Sequence, residues 1–156
     1  MTTTRAEIRV KVHRQRTLNA LDRIIRAIDE LTPSAVEECR DQTRRDIIRL
    51  LRLKWHPRNT PTPSLPGEPP ARISGDLLRS IKAFPVERTE PYTWKASIKS
   101  FNEYSRIQEL GGVSGRGHRT HLPPRPYLKR AVNDLHDVGF YEGVFLTYWS
   151  EALRAG

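Results

Sequence analysis

The residues best suited to bind a metal ion or attack a substrate lie between residues 111 and 124. His118 and His121 are three positions apart, and imidazole nitrogens are common zinc ligands. The same segment contains no cysteine, aspartate or glutamate that could complete a metal site. Ser114 is followed directly by Gly115, so it misses the nucleophile-elbow spacing by one residue. We therefore interpret these histidines and this serine as loop residues, with no metal.

Other groups with catalytic potential have simpler explanations. The carboxylate pairs Asp29–Glu30 and Glu37–Glu38 stand beside arginines in helical patterns, where solvated ion pairs are expected. The single cysteine, Cys39, also lies in a helical pattern and excludes an internal disulfide framework. No phosphate-binding or dinucleotide-binding glycine pattern is present. The sequence predicts a protein without catalytic residues or a cofactor.

Positive charge is the strongest compositional signal. The chain has 27 lysines and arginines against 18 acidic residues, a net charge of +9. A nucleic acid, an acidic protein surface or a membrane face would each complement such a charge. Residues 111–130 contain five lysines and arginines and no acidic residue. We predict that a basic contact surface is formed by Arg116, His118, Arg119, Arg125, Lys129 and Arg130.

Residues 1–54 have the periodicity of amphipathic helices. Leu18, Leu21, Ile25 and Ile28 recur at spacings of three and four residues. Residues 32–34, Thr-Pro-Ser, predict a break, since Ser34 and Glu37 would form the capping box of a second helix. That helix is expected to run to about residue 54, with the polar stretch 40–45 facing solvent.

Residues 55–76 form a proline-rich connector and turn. Six prolines between residues 56 and 70 indicate polyproline character, either as a surface connector or as an arm lying on a neighbouring subunit. Gly75 allows a close turn that the side chains of Ser74 and Asp76 would stabilise. A strand, or a short helix that leads into one, is expected over residues 77–84.

Residues 77–156 combine a β-hairpin, a basic loop and a C-terminal helix. Alternation over residues 92–99 predicts a half-buried strand, with Tyr92 and Trp94 facing the core and residues 87–91 as the turn. A short helix should end at Gly111, before a flexible loop over residues 111–124. Pro126 suits the start of a further helix. Residues 140–153 favour helix, with a strand over residues 144–149 as the alternative.

The fold class expected from these elements is α+β, with N-terminal helices packed on a small antiparallel β-sheet and a C-terminal helix. A length of 156 residues fits one domain. No apolar run approaches the ~20 residues that span a bilayer, so no membrane partner is expected. The N-terminal residues lack the apolar core of a secretion signal, which predicts synthesis in the cytoplasm.

Three motifs, in order, resemble a known family. Pro66-Gly67-Glu68-Pro69-Pro70, followed by Ser74-Gly75-Asp76-Leu77-Leu78-Arg79-Ser80-Ile81, resembles the Pro-Gly-x-Pro-Pro … Thr/Ser-Gly-x-Leu-x-x-Ser-Ile signature of small tail-completion proteins from long-tailed DNA phages. Tyr104…Glu109-Leu110-Gly111-Gly112 is similar to the family's Tyr-x-x-x-x-Glu-x-Gly element, and Arg125-Pro126-Tyr127-Leu128-Lys129-Arg130-Ala131 to its Arg-Pro-Phe-Leu-x-x-Ala helix start. The positions taken as structural are Pro66, Gly67, Pro69, Pro70, Gly75, Leu77, Gly111 and Pro126.

The resemblance implies a structural virion protein, either the tail terminator or an adjacent neck ring. Such proteins form rings, commonly sixfold, that cap the tail tube and help to join the tail to the head. The implied partners are further copies of the chain, the tail tube protein, neck or head-completion proteins and genomic DNA in the channel. The implied location is the virion tail or neck.

A basic, non-catalytic nucleic-acid-binding protein is the alternative. The basic loop and the aromatic strand fit an electrostatic footprint for nucleic acid. No helix-turn-helix or zinc finger is visible, so a surface that faces the phosphate backbone is favoured over one that reads bases.

Overall fold

A computed structural model describes residues 14–59, 64–114, 117 and 119–155. The chain has the predicted α+β fold, in which a long N-terminal helix packs on a small antiparallel hairpin and on C-terminal helices. In chain order the elements are α1 (Arg14–Leu50), α2 (Asp76–Arg79), β1 (Ile81–Glu90), β2 (Thr93–Ser100), α3 (Ser105–Leu110), β3 (Gly112–Ser114), β4 (Thr120–Leu122), α4 (Leu128–Asp137) and α5 (Phe140–Ala155).

Helix α1 is continuous, so the predicted break at residues 32–34 is wrong. Pro33 lies inside a helix of 37 residues, where it lacks the amide that would bond to the carbonyl of Asp29. An interior proline costs roughly 3 kcal/mol in an isolated helix. Packing on both sides of the proline offsets this cost, because Asp29 is bonded to the hairpin and Ala35 is fully buried.

The second half of α1 is more buried than its polar sequence suggested. The Arg40 side chain is only 10% exposed and donates to Glu37, Asp41 and the carbonyl oxygen of Phe84. Thr43 is buried against the hydroxyl group of Tyr141, at 2.9 Å. The expectation that residues 40–45 face solvent is therefore wrong for these two side chains. The helix also ends at Leu50, earlier than predicted.

Strands β1 and β2 form the predicted antiparallel hairpin. β1 extends to Glu90 and includes the residues expected to form the turn. Its pairing with β2 is irregular between Phe84 and Glu87, and Pro85 lies in this irregular stretch. A proline is tolerated there because a bulge needs no ladder hydrogen bond at every residue.

The two aromatic residues at the start of β2 differ in environment. Tyr92 has a positive φ of 60° in the turn and is 65% exposed, so its predicted core position is wrong. Trp94 is half-buried, and its indole N–H donates to Asp29 at 2.9 Å. Asp29 also pairs with Arg88 at 3.0 Å, so one carboxylate of α1 binds both strands of the hairpin.

The main core lies where α1, the hairpin and α4 meet. Six buried residues contact one another there: Ile47, Leu50, Leu51, Ile81, Tyr127 and Ala131. Leu77, from the first motif, is half-buried against this cluster together with Leu78, Ile98 and Leu128. The C-terminal helix α5 runs antiparallel to α1, since its residues 141, 148 and 149 bond to residues 43, 38 and 32. None of the described helices is long and apolar enough to cross a membrane.

Candidate functional site: the motif junction and the basic surfaces

The three motifs meet at one place, which we call the motif junction. It consists of residues 64–70, the end of α3 with Gly111, and residues 124–129 at the start of α4. The amide of Gly67 donates to the carbonyl of Pro124 at 2.9 Å, and the amide of Arg125 donates to the carbonyl of Gln108 at 2.7 Å. Segments far apart in sequence are thus joined by backbone hydrogen bonds.

Glu109 fixes the start of α4 by capping it from α3. Its carboxylate accepts hydrogen bonds from the amides of Tyr127, Leu128 and Lys129, each at 2.9 Å. These amides have no partner within the helix, and the positive end of the helix dipole favours a carboxylate there. The motif glutamate therefore has a structural role that its spacing alone did not reveal, because its partners lie 18–20 residues further along the chain.

Gly111 follows α3 at a position that no other residue can occupy without strain. Its φ is +72°, a left-handed conformation that favours glycine. A Cβ atom there would lie 2.8 Å from the carbonyl oxygen of Leu122 and 2.9 Å from the nitrogen of Pro124. Both are backbone atoms that cannot move aside, so the glycine expected at this helix end is required by packing as well as by conformation.

The proline-rich connector is partly buried and is bonded to the rest of the subunit. Pro66 and Gly67 are exposed, and Gly67 has a φ of +80°, whereas Pro69 and Pro70 are buried. The hydroxyl of Ser64 accepts from the amide of Ala71 at 2.8 Å, and Lys54 forms an ion pair with Glu68. At residues 69–70 the segment is not a surface connector.

The turn at Gly75 has the predicted form. Gly75 has a φ of +83° directly before α2, and Ser74 bonds to the side chain and the amide of Asp76. A Cβ at Gly75 would come closest to the flexible end of Arg79, at 3.1 Å. The steric demand for glycine is thus weaker here than at Gly111.

Four of the six predicted contact residues lie in the described part of the chain, and three of these four are exposed. Arg116 and His118 lie outside the described residues. Arg119 is exposed beside β4, and Lys129 and Arg130 are exposed on the first turn of α4. Arg125 is half-buried, and its guanidinium donates to the carbonyl of Ser64 at 3.2 Å, so it stabilises the junction and is not a free surface cation.

The segment predicted as a flexible loop contains a small hairpin. β3 pairs antiparallel with β4, with Gly112 opposite Leu122 and Ser114 opposite Thr120. Each of its strands has only three residues, too few for an alternation of apolar and polar residues to be recognised in the sequence. Pro126 is half-buried two residues before α4, which begins at Leu128 with Tyr127 as its N-cap.

Sequence reasoning missed a second basic surface, at the end of α1 and in the turn that follows it. Arg45, Arg49 and Arg52 follow one another at spacings of four and three residues, and Lys82 of β1 lies beside Arg45 across a shallow groove. Arg49 is paired with Asp46 at 2.9 Å, and Arg45 donates to Gln42. The helical spacing of these arginines is a signal that the sequence already contained.

Among the residues that the structure describes, the groups considered for catalysis are not assembled into a site. Cys39 is half-buried, and burial, together with the carboxylates of Glu38 and Glu142, raises the pKa of its thiol. A raised pKa keeps the thiol protonated and makes it a poor nucleophile. Ser114 lies in β3 and His121 is exposed in β4. In the described ranges, no three His, Cys, Asp or Glu side chains are grouped so that they could hold a metal ion.

Comparison with known proteins identifies no relative of this chain. No protein-family model matches the chain, and neither the curated proteins nor the solved structures include a significant match. The fold and the contacts above therefore define an α+β protein with a motif junction and two basic regions.

Proposed function

We propose that this chain is a structural virion protein that forms a ring at the head-proximal end of a phage or prophage tail. As a tail terminator or neck protein it caps the tail tube and aids the joining of tail to head. The ring, commonly sixfold in proteins with these motifs, contacts the tube protein and neighbouring neck or head-completion proteins, and DNA passes through its channel. The protein is made in the host cytoplasm and acts in the virion, not as an enzyme.

The observation that carries this proposal is the convergence of the three motifs. Gly67 comes from the first motif, Glu109 and Gly111 from the second and Arg125 from the third, and their segments contact one another at the junction. If the resemblance were due to chance, the matching residues would not be expected to contact one another in the fold. The convergence supports the reading of the motifs as one structural signature, in which the prolines and glycines shape the subunit.

Charge supports the same assignment. The exposed cations of α1 and of the start of α4 suit an acidic partner surface or DNA in a channel, where charge complementarity steers association. Arg119, Lys129 and Arg130, which are exposed, remain our candidates for that contact.

The test is electron microscopy of particles made when the gene is deleted. Detached heads beside tails of abnormal or unregulated length are expected, and the wild-type gene supplied in trans should restore joined particles. Normal particles of normal tail length without the gene would contradict the proposal.

Binding to nucleic acid outside a virion is the second candidate, favoured by the arginine row at the end of α1 and in the turn that follows it. Three phosphate contacts through Arg45, Arg49 and Arg52 would steepen the dependence of log Kd on log salt by about 2.7. Replacing the three by glutamine should remove that slope on random duplex DNA, measured by fluorescence anisotropy. Lys95→Gln/Arg106→Gln, at two exposed cations outside both basic surfaces, serves as the control. Absence of salt-dependent binding by the wild-type chain would exclude this candidate.

A further inference from the structure

The first turns of α1 carry an apolar stripe with little cover. Leu18, Leu21 and Ile25 are 44%, 49% and 45% exposed, and nearly every residue around them is exposed as well. The stripe continues the face of α1 that binds α5 further along, at Thr32 and Ala35. Leucine and isoleucine at these spacings form a helix-packing seam. Another helix could therefore pack on this stripe.

Helix α5 carries a second exposed apolar stripe with the same spacing. Leu146, Trp149 and Leu153 are 67%, 38% and 57% exposed. Leu146 and Leu153 lie beside the face of α5 that packs on α1, and Trp149 lies at the edge of that face, where its indole N–H donates to Thr32. Their spacing of three and then four residues repeats that of Leu18, Leu21 and Ile25. Two seams with equal spacing can pack in register, layer against layer.

Charge indicates that the two stripes belong together. Residues 14–26 contain four arginines and one aspartate, whereas α5 contains two glutamates and one arginine. In a parallel arrangement, with Leu18 beside Leu146, Arg14 lies beside Glu142 and Arg23 lies beside Glu151. These two pairs of opposite charge outweigh the one like-charge pair, Arg26 with Arg154. An antiparallel arrangement would place Glu142 next to Asp29 and Glu151 next to Ala20, so neither glutamate would face an arginine.

We propose that the α1 stripe of one subunit packs in parallel on the α5 stripe of a second copy of the chain. This inference rests on the proposed ring, for which it supplies the contact between subunits. The two stripes are different surfaces, so each copy can use one stripe toward each of two neighbours. Such a head-to-tail contact generates a ring when the rotation closes, whereas a contact between identical surfaces would stop at a dimer.

The test begins with the full-length chain in solution, by native mass spectrometry. Leu21→Glu places a charge in the proposed contact and should weaken self-association on the order of 30-fold, the loss typical of a central contact residue. Asn19→Glu makes a similar change on an exposed face of the same helix away from the stripe and should leave assembly unchanged. If the wild type and Leu21→Glu assemble equally, the proposed contact is wrong, whereas the proposal of a ring is not affected.

Disulfide trapping then identifies the pair of surfaces. In a Cys39→Ser background, a Leu18→Cys chain is mixed with a Leu146→Cys chain and oxidised mildly. The contact predicts a disulfide between the two different chains, because the paired Cα atoms would lie within the distance that a disulfide spans. Asn19→Cys mixed with Leu146→Cys is the control and should give little product.

Two results of the disulfide experiment would overturn the contact. One is a disulfide only between two Leu18→Cys chains; the other is no mixed product from an assembled protein. A wild-type chain that stays monomeric would also overturn it. The virion function is judged separately, by whether deletion of the gene prevents the joining of heads and tails.

Discussion

The two ends of helix α1 have similar apolar periodicity but different surroundings. At the C-terminal end, Ile47 and Leu50 are 1% and 2% exposed within the main core. At the N-terminal end, Leu18 and Leu21 are almost half exposed. Periodicity determines which face of a helix is apolar, whereas the rest of the fold decides whether that face is covered. The comparison separates residues that stabilise the subunit from residues left available for a neighbour.

The largest expected difference is in the free energy of unfolding, when leucine is replaced by alanine at each end of α1. Leu50→Ala removes a buried side chain and should cost about 2–5 kcal/mol in the free energy of unfolding. Leu21→Ala, at an exposed site, should change it by no more than about 0.5 kcal/mol. Urea denaturation of the monomer measures both. Equal losses would mean that the N-terminal stripe is packed within the subunit.

The second prediction concerns the glycine of the motif junction. Gly111→Ala forces a Cβ toward the backbone at residues 122–124 and strains a positive φ, so a loss of roughly 2–4 kcal/mol or failure to fold is expected. Gly143 of α5 is the matched control, because a Cβ there meets no atom within 4 Å. Gly143→Ala should be neutral or stabilise the protein by up to about 1 kcal/mol, as thermal unfolding would show.

The third prediction concerns the cap of α4, where a smaller loss of stability is expected. Glu109→Ala leaves three amides without their acceptor and should cost on the order of 1–2 kcal/mol. Glu103→Ala removes an exposed carboxylate nearby and should cost less than about 0.5 kcal/mol. Chemical denaturation provides the comparison. An equal effect of the two variants would contradict the capping role of Glu109.

Local signals in the sequence predicted much of the fold. The periodicity of α1 and α5, the alternation in β2 and the glycine that ends α3 each depend on neighbouring residues, and each is present as expected. The motifs also indicated which residues would be structural, including Gly75 and Gly111 with their positive φ angles.

The features that sequence reasoning missed depend on contacts between distant residues. Pro33 indicated a break, but packing on both sides keeps α1 continuous. The strand pattern placed Tyr92 in the core, but the turn ends one residue later than expected, at Tyr92 itself, and leaves this side chain exposed. Neither the cap by Glu109 nor the inward position of Arg125 could be read from spacing, since their partners lie on other segments.

Hydrogen exchange measured by mass spectrometry, on monomeric and assembled protein, tests the difference between the two ends of α1 most directly. The amides of residues 43–50 should be protected in both states, because they belong to the core. The amides of residues 14–26 should exchange quickly in the monomer and slowly in the assembly. Protection of residues 14–26 in the monomer, or its absence in the assembly, would contradict the assignment of this end of α1 to a neighbouring subunit.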